Sequence, residues 1–159
     1  MEIQYRKATK EDVNLLVSSR LEFLVEFLGS QSEDSLNNLA QHLHSYFQKS
    51  IEENTYHSFI ATSNGLFVGV GGMVIREQAG NFKNPSGIVG YVMNMYTIPS
   101  FRRNGICSKI LNLLIEEGAS LGINAFELHA TKEGELVYPQ YGFNIHSEPT
   151  YRRYLTSAV

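Results

Sequence analysis

Residues 93–111 read MNMYTIPSFRRNGICSKIL, and this stretch decides the fold of the chain. It begins inside a β-strand predicted over about 88–98, passes through the turn PSFRRNG, and enters a helix predicted over about 106–120. A glycine-containing turn between a strand and a helix presents several backbone N–H groups in one direction, and the helix dipole adds positive charge there. Such a turn favours an anion, usually a phosphate, and Arg102 and Arg103 would add charge at its mouth.

Strand and helix patterns continue on both sides of this stretch. In chain order, further strands are predicted over 2–8, 57–63, 66–76 and 123–130, and as a final hairpin between Phe143 and Leu155. A short helical segment is predicted over 132–141. The resulting order is β-α-α-β-β-β-α-β-α-β-β. The crossover from about 88 to 130 must give one parallel strand pair within an otherwise antiparallel sheet.

Two amphipathic helices are predicted between the first and second strands. The first has a capping-box pattern at Thr9 and Asp12, an apolar stripe from Val13 to Leu28, and Gly29 as its end. The second carries apolar residues on one face from Leu36 to Ile51, with Ser32 or Ser35 as its cap. Further along, Asn64-Gly65 predicts a tight hairpin turn, because both residues readily adopt positive φ.

Composition bounds the class of protein. The 159 residues are 43% hydrophobic, which is enough to form the core of one domain, expected over 1–159. Thirteen basic and sixteen acidic residues give a net charge of −3, which argues against a nucleic-acid partner. The single cysteine excludes an internal disulfide framework, and the histidine spacing gives no metal site. Without an apolar run of about 20 residues or a signal-peptide pattern, we expect a cytoplasmic protein with no membrane partner.

Two common phosphate-binding motifs are absent from the sequence. It contains no Gly-x-x-x-x-Gly-Lys-[Ser/Thr], and no Gly-x-Gly-x-x-Gly opens the crossover helix. Taken alone, Arg102-x-x-Gly105 also fits an ordinary capped helix with two solvated arginines.

The order of elements and two motifs together resemble the GNAT superfamily of N-acetyltransferases. Its first signature is a strand, a proline-containing turn, and Arg/Gln-x-x-Gly-x-Gly/Ala leading a helix. Arg102 and Gly105 fit this pattern, whereas Cys107 stands where the family prefers glycine or alanine. The second signature, a loop, a short helix and Tyr-x-x-x-Gly-Phe, is matched by HATKEGELVYPQYGF, which contains Tyr138. The resemblance covers nearly the whole chain and implies a mixed α/β (α+β) fold, with a mostly antiparallel sheet, one parallel β-α-β crossover and helices on both faces.

The resemblance also implies where acetyl-CoA, the cosubstrate of the family, would bind. The pyrophosphate would lie on the turn and the start of the helix, formed by Arg102, Arg103, Asn104, Gly105, Ile106, Cys107 and Ser108. The pantetheine amides would pair with the preceding strand, as an added strand does, at Met95, Tyr96 and Thr97. Thr131 matches a position where relatives often carry an asparagine that contacts the cofactor.

Tyr138 is the candidate catalytic residue, as proton donor to the departing thiolate. A phenol with a pKa of about 10 is a weaker acid than a thiol near 8.5, so only a positioned hydrogen bond to sulfur makes it useful. A backbone N–H near Met95 would polarise the thioester carbonyl. The alternative for Tyr138 is a core tyrosine of the short helix, and we expect Pro139 to end that helix early. Cys107 is expected to be a small helix-start residue, at a position that would lower its pKa.

The acceptor side of the reaction is less marked in the sequence. Residues 91–97 contain no carboxylate, so no general base is assigned there and a water chain would take that role. Asn94 is expected to contact substrate, and Glu22 and Glu26 would attract a cationic amine or form a solvated face. The predicted function is direct acetyl transfer to an amine in a ternary complex. The alternative is a non-catalytic acyl-CoA-binding sensor or partner-binding domain, and a homodimer is one option for its assembly.

Overall fold

The computed structural model describes residues 2–155, which fall into two compact units that meet between His129 and Ala130 in the chain. Within the described residues the strands are β1 (Ile3–Lys7), β2 (Tyr56–Ser63), β3 (Leu66–Glu77), β4 (Ile88–Thr97) and β5 (Phe126–Leu128). The α-helices are α1 (Val13–Leu28), α2 (Glu33–Glu52) and α3 (Ile106–Ser120). None of these helices is both long enough and apolar enough to cross a membrane. The single domain expected over 1–159 stays a prediction.

The first unit is built on one five-stranded sheet. Its strands lie in the order β1-β2-β3-β4-β5, and the three pairs from β1 to β4 are antiparallel. β5 runs parallel to β4, with Gly90 opposite Phe126 and Val92 opposite Leu128. α3 makes the connection between these two strands. The predicted mixed sheet with one parallel crossover is therefore confirmed.

Helices cover both faces of the sheet, as predicted. Leu16 of α1 and Phe47 of α2 pack in one core cluster with Val70 of β3. A β-carbon on the neighbouring Gly71 would lie 2.6 Å from Ile110 of α3. Because successive residues of a strand point to opposite faces, α1 and α2 lie on one side and α3 on the other.

Local signals fixed the ends of α1 and α2. The backbone N–H of Thr9 donates to the Asp12 carboxylate at 2.8 Å, in the capping box predicted before α1. Gly29 ends α1 with φ of 92°. The cap of α2 is Ser32, whose hydroxyl accepts from the Ser35 N–H at 3.2 Å.

The β2–β3 hairpin closes at the predicted dipeptide. Asn64 and Gly65 have φ of 49° and 76°, and Ser63 pairs with Leu66 across them. Two consecutive residues at positive φ are typical of the two-residue turn whose twist matches that of paired strands.

The second unit differs from its prediction. Two 3₁₀ turns, Gly134–Leu136 and Tyr138–Tyr141, stand in place of the short helix. The hairpin predicted between Phe143 and Leu155 is wrong, because the described residues there form no strand. The side chains of Tyr151 and Tyr154 are 91% and 82% exposed. The residues of this segment favour strands but bury no face of a sheet, so pairing two strands there would gain little stability.

Candidate functional site

A β-bulge interrupts β4 close to its end. The register between β3 and β4 shifts between Val70 and Gly72, so that Asn94 and Met95 together stand opposite Gly71. Asn94 takes a left-handed conformation with φ of 57°, which asparagine tolerates better than most residues. A bulge bends the strand and re-aims its backbone groups. Met95 therefore lies where β4 departs from regular pairing with β3. The sequence predicts a carbonyl-polarising backbone N–H near this residue.

The carboxyl end of β4 extends beyond the parallel ladder. β5 pairs with β4 only at Gly90–Val92 and ends at Leu128, whereas β4 continues to Thr97. Met95 and Tyr96 belong to this extension. Its backbone groups on the β5 side lie past the ladder, and such an edge can pair with an extended ligand.

The turn between β4 and α3 is held in shape by its own groups. Arg103 and Gly105 both have positive φ, 63° and 73°. The Asn104 side-chain amide donates to the carbonyls of Phe101 and Arg102, at 3.0 Å and 3.1 Å. Successive backbone N–H groups in such a turn form a concave surface that suits an anion.

The N-terminus of α3 adds three more donors. Lys109 N–H donates to the Gly105 carbonyl at 3.0 Å, so the N–H groups of Ile106, Cys107 and Ser108 precede the first helical hydrogen bond. A β-carbon at Gly105 would have nothing within 4 Å. The space beside Gly105, which directly precedes these donors in the chain, is thus open, and the helix dipole is positive at this end of α3.

The Arg102 side chain is bonded to other residues of the same chain. Its Nε donates to the Thr97 carbonyl at 2.9 Å, and its Nη2 lies 2.6 Å and 2.7 Å from the two oxygens of Glu26. The guanidinium therefore joins the turn to α1 and to the end of β4. Glu26 is occupied by this ion pair, whereas Arg103 is exposed.

Asn94 is buried beside Tyr56. Its side chain is 7% exposed, and its Nδ2 donates to the Tyr56 hydroxyl at 3.1 Å. Its Oδ1 is buried without a hydrogen-bond partner among the described residues. Burial raises the pKa of Tyr56 to about 12, so this hydroxyl stays protonated at neutral pH.

Burial shifts the pKa of two other candidate residues, Cys107 and Tyr96. Burial raises the pKa of the Cys107 thiol, so the expected lowering at the helix N-terminus is wrong. Burial also raises the pKa of Tyr96, and the neighbouring carboxylates of Glu22 and Glu26 raise it further. Residues 2–155 contain no group of three or more histidine, cysteine or acidic side chains that would hold a metal ion.

Tyr138 and Thr131 lie in the second unit. Tyr138 begins a 3₁₀ turn whose next residue is Pro139, and proline is tolerated in a first turn because its missing N–H would have no partner there. The sequence predicts that the short helix ends early at Pro139. The observed break lies one residue before Tyr138, at Val137, between the two 3₁₀ turns. The Tyr138 ring packs edge-on against Phe143, with 6.0 Å between centroids. The Thr131 hydroxyl accepts from the Gly134 N–H at 3.3 Å.

A group of residues on the α1/α2 face of the sheet was not predicted from the sequence. We call it the arginine–tyrosine cluster, and its members interact electrostatically or through ring contacts. It consists of Arg20, Tyr46, Tyr56, Arg76 and Tyr91. One signal was available: Arg20 follows Val13, Leu16 and Val17 at helical spacing, so a charged residue falls on the apolar stripe of α1.

A family model described as an acetyltransferase (GNAT) domain matches residues 27–157. The chain belongs to the GNAT acetyltransferase family. The family resemblance drawn from the turn and from the Tyr138 region is therefore confirmed. A search of curated proteins found no match to this GNAT chain.

Solved structures agree with the GNAT fold. A predicted acetyltransferase of Clostridium acetobutylicum, solved with acetyl-CoA, is 30% identical, with a TM-score of 0.88 and coverage of 96% of each chain. A GCN5-related N-acetyltransferase of Ralstonia eutropha JMP134 is 22% identical, with a TM-score of 0.84 and coverage of 96% of this chain and 99% of its own. An acetyltransferase of Trypanosoma brucei is 20% identical, with a TM-score of 0.70 and coverage of 97% and 100%.

Proposed function

We propose that this GNAT protein transfers an acetyl group from acetyl-CoA directly to the primary amine of an acceptor. The observation that carries the proposal is the open N-terminus of α3 at Gly105, next in the chain to a strand end that lies past its ladder. The Clostridium structure was solved with acetyl-CoA. Family membership and these two features of the chain point to the same cosubstrate.

The residues present fit the phosphate end of acetyl-CoA. The backbone N–H groups of Ile106, Cys107 and Ser108 would hold the pyrophosphate, as would those of the turn. A β-carbon at Gly105 would meet nothing within 4 Å, and an anion at a helix N-terminus is stabilised by both hydrogen bonds and the dipole. The exposed Arg103 supplies direct positive charge. The role of Arg102 is different: it holds the turn to Thr97 while the backbone binds the anion.

The extension of β4 fits the pantetheine arm. Met95, Tyr96 and Thr97 would pair with its amides as a neighbouring strand would, so their side-chain identity matters little. The bulge re-aims the backbone at Met95, and an N–H there would polarise the thioester carbonyl as charge develops on its oxygen. Thr131 is a further candidate contact in the second unit.

The chemistry requires two proton movements. Acetyl-CoA supplies a thioester, in which the bond from carbon to sulfur breaks as the bond from carbon to the amine nitrogen forms. Tyr138 would give its proton to the leaving sulfur, and water would take the proton lost by the amine and return a proton to the Tyr138 phenolate. The Asn94 amide cannot accept a proton at neutral pH, and the buried phenol of Tyr56, with its pKa raised to about 12, stays protonated and is no base. This assignment needs no covalent intermediate on the protein.

The test is a thermal-shift titration with acetyl-CoA, followed by detection of free thiol with a panel of amines. Stabilisation by acetyl-CoA together with amine-dependent thiol release is the expected result. Stabilisation without thiol release for any amine would support the acyl-CoA sensor instead. If acetyl-CoA neither stabilises the protein nor reacts, both readings fail.

A further inference from the structure

Arg20 is a half-buried cation without an acidic partner. Its side chain lies on the apolar stripe of α1, and burial lowers the pKa of its guanidinium. Within residues 2–129, no carboxylate lies within 4 Å of it. An arginine stays charged in proteins, and a desolvated charge is costly unless an opposite charge or hydrogen bonds offset it. The Phe23 ring, with its centroid 5.6 Å from the guanidinium carbon, carries no charge, so within residues 2–129 the site favours an added anion.

A second arginine belongs to the same cluster. The Arg76 guanidinium lies over the ring of Tyr91, 3.6 Å from its centroid. It is exposed, and it too has no carboxylate within 4 Å in residues 2–129. The Tyr91 hydroxyl is hydrogen-bonded to His129 Nδ1 at 2.6 Å, which fixes the ring. A guanidinium stacked on a fixed ring keeps its N–H fork oriented for a planar or tetrahedral oxyanion.

Tyrosines connect the two arginines to the bulge. Tyr46 interacts electrostatically with both Arg20 and Arg76, and its ring lies 6.4 Å from that of Tyr56. The Tyr56 hydroxyl in turn accepts from Asn94 in the bulge. Burial raises the pKa of both Tyr46 and Tyr56, so their hydroxyls stay neutral. The cluster thus offers two positive charges and no negative one beside the strand segment proposed to hold the thioester.

We propose that the acceptor amine carries an anionic group, a carboxylate or a phosphate, which Arg20 and Arg76 bind. This inference rests on the proposed function, because it assigns the acceptor of the same site. Asn94 and Tyr91 are three residues apart on β4, so the cluster lies about 10 Å or less along the strand from the bulge. That separation suits a small molecule whose anionic group is a few bonds from its amine, such as an amino acid or an amino phosphate.

The alternative of a polycationic acceptor is disfavoured by the same contacts. Glu26, expected from the sequence to attract a cationic amine, is paired with Arg102. Glu22 lies beside the Tyr96 hydroxyl, whose pKa it helps to raise. A cationic acceptor would meet the unpaired charges of Arg20 and Arg76, and like charges repel strongly at short range.

The experiment compares matched amines that differ only in the anionic group. One arm pairs each of the common amino acids with its carboxamide, and the other pairs 2-aminoethyl phosphate with ethanolamine. The readout is kcat/KM from thiol release with acetyl-CoA. We expect at least one anionic member to exceed its neutral partner by about tenfold or more, the size expected for a charge-assisted contact. A preference in the amino-acid arm identifies the anionic group as a carboxylate, and a preference in the other arm identifies it as a phosphate.

Variants then assign the preference to the cluster. R20Q and R76Q should each lower kcat/KM for the anionic member and bring its ratio to the neutral member towards one. K10Q is the matched control: it removes the same charge from an exposed site about three helical turns before Arg20, and it should leave the ratio unchanged. An unchanged thermal shift with acetyl-CoA shows that each variant is folded.

The outcomes separate the two claims. Thiol release with neutral amines at equal or greater efficiency would overturn the anionic acceptor and leave the proposed function intact. An anionic preference that persists in both R20Q and R76Q would also overturn it. If no amine releases thiol although acetyl-CoA stabilises the protein, the proposed function fails and the acceptor assignment falls with it.

Discussion

The Arg102 guanidinium donates to the Glu26 carboxylate at 2.7 Å and, through Nε, to the Thr97 carbonyl at 2.9 Å. One side chain thus connects the turn before α3 with α1 and with the end of β4. The two bonds have different consequences. The bond to Thr97 sets the turn against the strand, whereas the bond to Glu26 is a partly exposed ion pair of the kind that contributes about 0–1 kcal/mol.

Substituting Arg102 and Glu26 separately should distinguish these roles. R102Q loses the bond that holds the turn to β4, so we expect acetyl-CoA affinity to fall several-fold. E26Q keeps the Arg102–Thr97 bond and should change that affinity by less than about twofold. Isothermal titration calorimetry of both variants checks this, and equal losses in the two would show that the Thr97 bond has no special role.

The role of Gly105 can be tested against a glycine at the other end of α3. Gly105 and Gly122 both have positive φ, 73° and 79°, and neither has a neighbour within 4 Å of an added β-carbon. G105L and G122L therefore pay a similar backbone cost of about 1–2 kcal/mol. Only G105L should abolish acetyl-CoA binding in calorimetry, because its side chain fills the space before the α3 donors. Retained binding by G105L would remove the turn from the cosubstrate site.

Removal of the Tyr138 hydroxyl should affect turnover and not binding. We expect Y138F to lower kcat about a hundredfold, the lower range for loss of a general acid, with a dissociation constant for acetyl-CoA within about twofold of the native value. Y141F, in the same 3₁₀ turn, is the control and should retain activity. Steady-state kinetics with thiol detection measure both, and undiminished kcat in Y138F would make Tyr138 a packing residue.

Asp12 should make the fold sensitive to acid. Hydrogen bonds from Arg6, at 2.7 Å and 2.8 Å, lower the pKa of this carboxyl despite its burial. A lowered pKa in the folded state gives stability that is complete above the unfolded pKa of about 3.9 and is lost as pH falls through the folded value. D12N should therefore lose about 1–3 kcal/mol at pH 7, and the difference from the native protein should shrink near pH 3.

Urea unfolding at the two pH values measures the Asp12 effect. D34N, at an exposed position in the first turn of α2, removes the same charge and serves as control. A D12N deficit as large at pH 3 as at pH 7 would mean that the lost contacts are not those of the ionised carboxylate.

Local sequence patterns predicted the elements that depend on short-range chemistry. The β4–α3 crossover, the Asn64-Gly65 turn and the Ser32 cap each follow from residues a few positions apart. The order of the sheet then follows from chain connectivity, because a strand–helix–strand unit of this length gives a parallel pair.

The site features that were missed depend on distant residues. Arg102 and Glu26 are 76 positions apart in the chain, so no local pattern predicts their pairing. The bulge at Asn94 lies in a run that reads as regular strand, and only the register against β3 reveals it. The arginine–tyrosine cluster draws on α1, α2, β2, β3 and β4, and its one local sign is the charge of Arg20 on an apolar stripe.

Transfer of labelled acetyl groups tests the central claim most directly. The protein is mixed with acetyl-CoA carrying a labelled acetyl group and with the amine panel, and the reaction is quenched in acid. Direct transfer predicts label on an amine, one free CoA thiol for each acetylated amine, and no label on the protein. Label held covalently by the protein, or no transfer while acetyl-CoA is bound, would contradict direct transfer from a cosubstrate held at Gly105 and the end of β4.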